Sequence, residues 1–94
     1  AQADLDLAIK LAQQGYEKDA TNWNNTFNLA LYYLAAGAIE QSKTLYREAL
    51  SNDAPLERIR EALRDLDDFL TVFPDHIEAK SMQRLLQSAR IPFC

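Results

Sequence analysis

The side chains that could carry out chemistry in this chain of 94 residues are few and lie far apart. His76 is its only histidine and Cys94 its only cysteine. A general base or a metal centre needs partner groups, and no second histidine or cysteine can supply them. No base is placed to activate the thiol of Cys94. We interpret His76 as an exposed residue in the first turn of a helix, and we expect no catalytic residues, no metal and no other cofactor.

The acidic residues and the glycines do not form a ligand site either. Asp65, Asp67 and Asp68 lie within a helical pattern, whereas a calcium-binding EF-hand loop needs a glycine at its turn and a distal glutamate. Gly15 and Gly37 are too far apart in the sequence to build a phosphate-binding loop. We therefore expect a solvated acidic helix face and no nucleotide binding.

An arginine cluster leaves two interpretations open. Arg58, Arg60 and Arg64 could hold a carboxylate or a phosphate, because a guanidinium group forms paired hydrogen bonds with either. Acidic residues are interleaved with these arginines at spacings that allow pairing along one helix. A self-paired, solvated cluster is the favoured interpretation, and a basic rim around a ligand is the other.

Composition and charge exclude several partners. Hydrophobic residues make up 48% of the chain, which is enough for a folded core. The net charge of -4 disfavours nucleic acid and anionic membrane surfaces. The longest apolar run, residues 29–36, is far short of the roughly 18–20 residues needed to span a bilayer. The acidic first turn does not resemble a signal peptide and the single cysteine fits a reducing compartment, so we predict a cytoplasmic protein. The start without methionine suggests a fragment of a larger chain.

Hydrophobic periodicity predicts three helices in the first half of the chain. They cover residues 4–19, 22–36 and 38–51. Asn22 is the predicted N-cap of the second helix, and Gly37 ends it. The second helix is apolar on nearly every side in its C-terminal half. It must therefore be covered by several neighbours and is the predicted central element.

Two further helices are predicted in the second half. The fourth is the clearest amphipathic helix, with Pro55 in its first turn and another proline after its end. Asp75 and Glu78 have the spacing of a capping box at the start of the fifth helix. We expect residues 1–90 to form a single domain and residues 91–94 to be a frayed tail.

Small and aromatic residues recur at fixed spacings between residues 26 and 55. They are Leu29, Ala30, Tyr33, Gly37, Ser42, Tyr46, Ala49 and Pro55. This pattern resembles the tetratricopeptide repeat, a family of helical-repeat domains with a period of about 34 residues. One period earlier the chain again has small residues, namely Ala8, Ala12 and Gly15. The first helix therefore resembles the second half of a preceding repeat.

The family pattern weakens after residue 52. Thr26 also stands where the family has tryptophan, and the fourth helix is longer than the family norm. Ala62, Leu66 and Phe69 match the second half of a further repeat, but they are reached too early in the sequence. The alternative fold is an irregular five-helix bundle without a usable groove.

The resemblance implies an all-α fold of five antiparallel helices, a fragment of a tetratricopeptide-like superhelix. Residues at three positions, Ala30, Ser42 and Ala49, are then buried where helices cross closely. Tyr33 and Tyr46 fill the core between repeats. Consecutive helices pack as neighbours in space.

The resemblance also implies a non-enzymatic protein–protein interaction module whose groove binds a peptide or helix of a partner. In the family the first helix of each pair lines the groove. The second helix of this chain is the first helix of its pair, so it has that role here. The predicted peptide-binding residues are Asn24, Phe27, Asn28, Leu31, Arg60 and Arg64. The expected partner segment carries apolar anchors and some acidic residues. The alternative is a structural spacer or a self-association segment of a larger signalling or regulatory protein. Self-association would make the chain a homo-oligomer.

Overall fold

Five helices make up the described part of the chain in a computed structural model that covers residues 2–19 and 22–90. They are α1 (Gln2–Lys18), α2 (Trp23–Ala35), α3 (Ile39–Ser51), α4 (Leu56–Val72) and α5 (Ile77–Arg90). No strand occurs within those two ranges, so the predicted all-α class is confirmed there. The predicted frayed tail, residues 91–94, lies outside the described residues.

The second helix begins and ends where the sequence predicts. The backbone N–H of Asn24 donates to Oδ1 of Asn22 over 3.0 Å, which is an N-cap interaction. At the other end, Gly37 adopts the left-handed conformation with a φ of 82°. The N–H of Ala38 donates to the carbonyl of Tyr33 over 2.9 Å. This is a Schellman ending, and glycine relieves the strain at its left-handed position.

The third helix ends in the same arrangement without a glycine. Asp53 takes the left-handed position with a φ of 57°, and the N–H of Ala54 donates to the carbonyl of Ala49 over 3.0 Å. Aspartate is one of the few residues that tolerate this conformation. Pro55 then stands immediately before α4, at its N-cap, instead of in its first turn. Two similar turns therefore bound α3.

The predicted capping box of α5 is wrong, because the helix begins later than expected. The first helical residue is Ile77, which places His76 at the cap. Nδ1 of His76 accepts a hydrogen bond from the N–H of Ala79 over 3.1 Å. The imidazole also meets the ring of Phe69 edge-on, with ring centroids 5.0 Å apart. His76 is thus a half-buried capping residue, and the prediction of an exposed histidine is corrected.

Small residues mark the crossing of α2 and α3, as the repeat resemblance implies. Ala30, Ser42 and Ala49 are all fully buried, and the hydroxyl of Ser42 donates to the carbonyl of Ala30 over 2.8 Å. Tyr46 lies in the core, which confirms that prediction. Tyr33 is only half-buried and packs against the edge of the core. Its predicted place in the core is therefore corrected to a place at the surface.

Four of the helices pack as two pairs that lie against each other. Within the described residues α2 packs on α3, and α4 packs on α5. Between these pairs α2 contacts α4, and α3 contacts α5, while α1 rests on α2. Consecutive α3 and α4 are not among these packed pairs, which departs from the prediction that sequence neighbours pack together. The smallest dimension is 19 Å, and this is close to two helix diameters. The helices therefore form two layers.

The core lies between these layers. Its large apolar side chains come from α2 to α5: Phe27, Leu29, Leu34, Leu45, Tyr46, Ile59, Leu63, Leu66, Met82 and Leu86. The side chains of α1 that touch this core are only partly buried. Consequently α1 leaves part of the neighbouring helices uncovered, and a cleft of about 460 Å³ occurs there.

Candidate binding surface

Most of the predicted binding residues meet in a cleft between α2 and α4. This α2–α4 cleft has a volume of about 160 Å³ and is lined by Asn24, Phe27, Asn28, Arg58, Glu61, Ala62, Arg64 and Asp65. Of the six predicted residues, the cleft brings together Asn24, Phe27, Asn28 and Arg64. Arg60 is exposed and Leu31 is half-buried, and neither lines the cleft.

The expected hydrophobic floor of this cleft is largely covered. Only 5% of Phe27 is exposed, and its ring lies 6.0 Å from that of Tyr46 between centroids. The exposed groups above it are the amides of Asn24 and Asn28 and charged side chains of α4. The α2–α4 cleft therefore offers a partner mainly polar contacts. A role of the six residues in peptide binding stays a prediction.

Carboxylates offset the arginines in the α2–α4 cleft. Arg58 pairs with Glu61 over 2.5 Å, which agrees with the favoured interpretation of a self-paired cluster for this arginine. Partial burial raises the pKa of the Asp65 carboxyl, and the nearby negative charges of Asp68 and Glu61 raise it further. Arg64 opposes this effect only in part. Negative charge is thus poorly compensated around Asp65, and this does not favour an acidic partner segment.

A larger cleft lies between α1, α2 and α3. This three-helix cleft has a volume of about 460 Å³ and is lined by Gln13, Tyr16, Glu17, Leu29, Tyr33, Glu40, Gln41, Thr44 and Leu45. Ligand sites commonly have volumes of roughly 300–1,000 Å³ with apolar walls and a few placed polar groups. The three-helix cleft has both properties, because leucines and tyrosines are combined with amide, hydroxyl and carboxylate groups.

Two hydrogen bonds tie α1 to its neighbours at the three-helix cleft. The side-chain amide of Gln13 donates to the hydroxyl oxygen of Tyr33. The hydroxyl of Tyr16 donates to Oε1 of Glu48 over 2.5 Å. This hydrogen bond, together with burial and the charge of Glu48, raises the pKa of Tyr16 to about 12. Both tyrosines are therefore anchored through their hydroxyl oxygens while their rings border the cleft.

A third cleft lies between α1 and α2. This α1–α2 cleft has a volume of about 330 Å³ and is lined by Ala8, Leu11, Ala12, Gly15, Asn25, Asn28 and Tyr32. The side-chain amide of Asn25 donates to the carbonyl of Gly15 over 3.0 Å. A Cβ atom at Gly15 would lie 3.4 Å from Oδ1 of Asn25, so a small residue suits this contact. The lining carries no charged side chain.

The described residues contain no group that suggests a metal or a membrane span. Within residues 2–19 and 22–90, no three His, Cys, Asp or Glu side chains are placed to hold a metal ion. None of the helices in these ranges has the length and hydrophobicity needed to cross a bilayer.

Comparisons with protein-family models, with curated proteins and with solved structures found no match to this chain.

Sequence reasoning did not identify the three-helix cleft. The repeat pattern predicts Tyr33 in the core, because Tyr33 occupies one of the aromatic positions of that pattern. A usable signal was present, since Tyr16, Tyr33 and Thr44 add polar atoms to faces that otherwise bury apolar residues. Side chains of this mixed type are common where a surface is half covered.

Proposed function

We propose that the chain is a non-enzymatic protein-interaction module, a tetratricopeptide-like arrangement of antiparallel helices that holds a segment of a partner protein. The contacts of α2 with α4 and of α3 with α5 support a repeat of helical hairpins, because stacked hairpins contact their counterparts in the next pair. The buried Ala30, Ser42 and Ala49 support the same assignment. Helical hairpins of this kind present surfaces and carry no reaction chemistry of their own.

The observation that carries this proposal is the three-helix cleft. Its 460 Å³ exceed the volumes of the α1–α2 and α2–α4 clefts. The half-buried rings of Tyr16 and Tyr33 supply apolar walls, whereas Leu29 and Leu45 in the same lining are themselves only 3% and 7% exposed. The side chains of Gln13, Gln41 and Thr44 supply groups that can bond a peptide backbone. A partner segment gains affinity from such a cleft by burying an anchor side chain in it. We assign the primary binding surface to this cleft.

A selection from a displayed peptide library tests the proposal. Peptides that bind the unaltered chain should lose binding to a Thr44→Trp variant, because the indole fills the cleft. Thr71→Trp is a matched control, since Thr44 and Thr71 are both exposed helical residues whose hydroxyls donate to the carbonyl four residues earlier. Helicity measured by circular dichroism should be equal in the two variants. Failure to enrich any peptide, or equal binding to both variants, contradicts the proposal.

The predicted groove between α2 and α4 forms a secondary part of the same proposal. A double variant, Asn24→Ala with Asn28→Ala, should weaken peptides that bind at this groove. Replacing two exposed glutamines elsewhere, Gln14→Ala with Gln87→Ala, removes the same number of amide groups and serves as the control. Peptides that bind the Asn24→Ala, Asn28→Ala variant as tightly as the control variant do not use the α2–α4 cleft.

Self-association is the second candidate function, and exposed apolar side chains favour it. Leu7 and Leu11 of α1 and Val72, Phe73 and Ile77 near the α4–α5 turn are each more than half exposed. Contiguous apolar patches of more than a few hundred Å² are uncommon on monomeric proteins. Light scattering over a range of protein concentrations measures this directly. A mass that rises with concentration supports it, and a constant monomer mass refutes it.

A further inference from the structure

The charges around the three-helix cleft have one sign. Glu17 of α1 and Glu40 of α3 both belong to its lining, and the lining contains no lysine or arginine. Neither carboxylate forms an ion pair with another residue of the described ranges. Glu48, which holds Tyr16 from the α3 side, adds a third carboxylate nearby. The cleft therefore presents negative charge beside an apolar and aromatic wall.

From this combination we infer that the three-helix cleft binds the side chain of an arginine or lysine that the partner segment presents. The inference rests on the proposed function and specifies the chemistry of the anchor residue. It commits to a basic anchor, whereas the sequence had suggested a partner segment with acidic residues.

The shape and the chemistry of the cleft both suit a long basic side chain. The aliphatic stem of such a residue can lie along the half-buried rings of Tyr16 and Tyr33, because lysine and arginine bury their methylene groups and keep the charged head near polar groups. The charged head then lies near Glu17 and Glu40, which approach the cleft from different helices. Tyrosine rings also attract cations across their faces. An aliphatic anchor would contact the same rings but leave the carboxylates unmatched.

The hydroxyl of Tyr33 supplies a further contact for the partner. Its oxygen accepts a hydrogen bond from Gln13, so its own proton remains available for donation. A backbone carbonyl of the bound segment can accept that proton. Gln41 and Thr44 lie on the α3 side of the same cleft and can bond the adjacent peptide groups. The cleft can thus hold both the anchor side chain and the backbone that carries it.

The other clefts lack this combination. The α1–α2 cleft has no charged residue in its lining. The α2–α4 cleft contains Glu61 and Asp65, but Arg58 and Arg64 line it as well. Its volume is also only about 160 Å³. Among these three clefts, a preference for a basic side chain is therefore assigned to the three-helix cleft.

A pair of small probes tests the charge of the anchor directly. N-acetyl-arginine amide and N-acetyl-citrulline amide have nearly the same shape, but only the first is charged. Each is titrated into the ¹⁵N-labelled chain, and amide shifts are followed at Gln13, Tyr33, Gln41 and Thr44. We expect the arginine probe to bind about two- to thirtyfold more tightly than the citrulline probe, because two partly exposed charge pairs contribute together.

Two charge variants separate the cleft from the overall charge of the chain. In a Glu17→Gln, Glu40→Gln double variant the arginine preference should disappear. Glu57→Gln with Asp75→Asn removes the same charge from exposed positions outside the cleft and should keep the preference. Equal binding of the two probes overturns the inference. An arginine preference that survives in the Glu17→Gln, Glu40→Gln variant also overturns it, and so does an arginine probe that shifts none of the four amides. The proposed function fails on a different result, which is a peptide library that yields no binder sensitive to Thr44→Trp.

Discussion

The crossing of α2 and α3 gives the sharpest test of the fold, through the variant Ala30→Leu. Ala30 is fully buried, and its carbonyl lies 2.8 Å from the hydroxyl oxygen of Ser42 on the facing helix. This short contact fixes the two backbones close together, so a larger side chain at Ala30 must push them apart. Insertion of extra methylene groups into a packed core costs about 1–3 kcal/mol. For a chain of this size, each kcal/mol lowers the melting temperature by roughly 4–8 °C.

The same helix supplies a matched control for this prediction. Ala35 lies five positions after Ala30 and is exposed. Ala35→Leu makes the same chemical change without a packing penalty, and it should alter the stability by less than about 0.5 kcal/mol. Both variants are compared with the unaltered chain by urea unfolding followed by circular dichroism. If Ala30→Leu is as stable as Ala35→Leu, the close crossing does not exist and the repeat assignment loses its main support.

Four other predictions follow from single residues. Gly37→Ala should lower the free energy of unfolding in urea by about 1–2 kcal/mol, because it forces a Cβ into a left-handed position. No atom lies within 4 Å of that Cβ, so no clash adds to this cost. An unchanged urea midpoint would contradict the left-handed ending of α2. His76→Ala should lower the free energy of unfolding by about 0.5–2 kcal/mol, because the α5 cap is lost. His76→Asn should retain most of this stability, because asparagine also caps helices. Equal losses in both variants would show that the cap does not stabilise the helix. Thr26 is fully buried, and no described residue forms a hydrogen bond with its hydroxyl. Thr26→Val should therefore leave the free energy of unfolding unchanged or raise it by up to about 1–2 kcal/mol. A clear loss of stability would mean that the hydroxyl has a hydrogen-bond partner. The pKa of Tyr16 is raised from an ordinary 10.0 to about 12, so the folded state holds the phenol proton more tightly than the unfolded state. The resulting contribution to the free energy of unfolding is complete below pH 10 and is lost as the pH rises towards 12. Tyr16→Phe should remove this part of the loss of stability at alkaline pH, and identical curves of stability against pH for both chains would refute the link to Glu48.

Much of the helix pattern follows from local sequence signals. Asn22 and Gly37 set the ends of α2 because a cap and a left-handed glycine act within a few residues of the chain. The amphipathic spacing of α4 likewise requires no knowledge of its neighbours. The sequence predicts too early a start for α5, because Asp75 and His76 can both accept a hydrogen bond from a backbone N–H. Only the backbone geometry determines which of them becomes the cap.

The candidate site was less accessible from the sequence, because it depends on how helices from distant positions meet. The repeat pattern indicated that Tyr33 is large and apolar enough for the core, but its exposure depends on how far α1 covers α2 and α3. The pairing of Tyr16 with Glu48 joins residues 32 positions apart and has no local signature. Phe27 was expected to face a groove, yet the ring of Tyr46 from α3 lies beside it and helps to bury it. Tertiary contacts therefore decide which face of α2 remains open.

Nuclear Overhauser contacts between a selected peptide and the unaltered chain test the central claim most directly. The claim is that a partner segment binds in the three-helix cleft and inserts a basic side chain there. It predicts contacts from the methylene protons of a lysine or arginine in the peptide to the ring protons of Tyr16 and Tyr33. Contacts confined to Leu7 and Leu11 of α1, or to residues of α4, would contradict it.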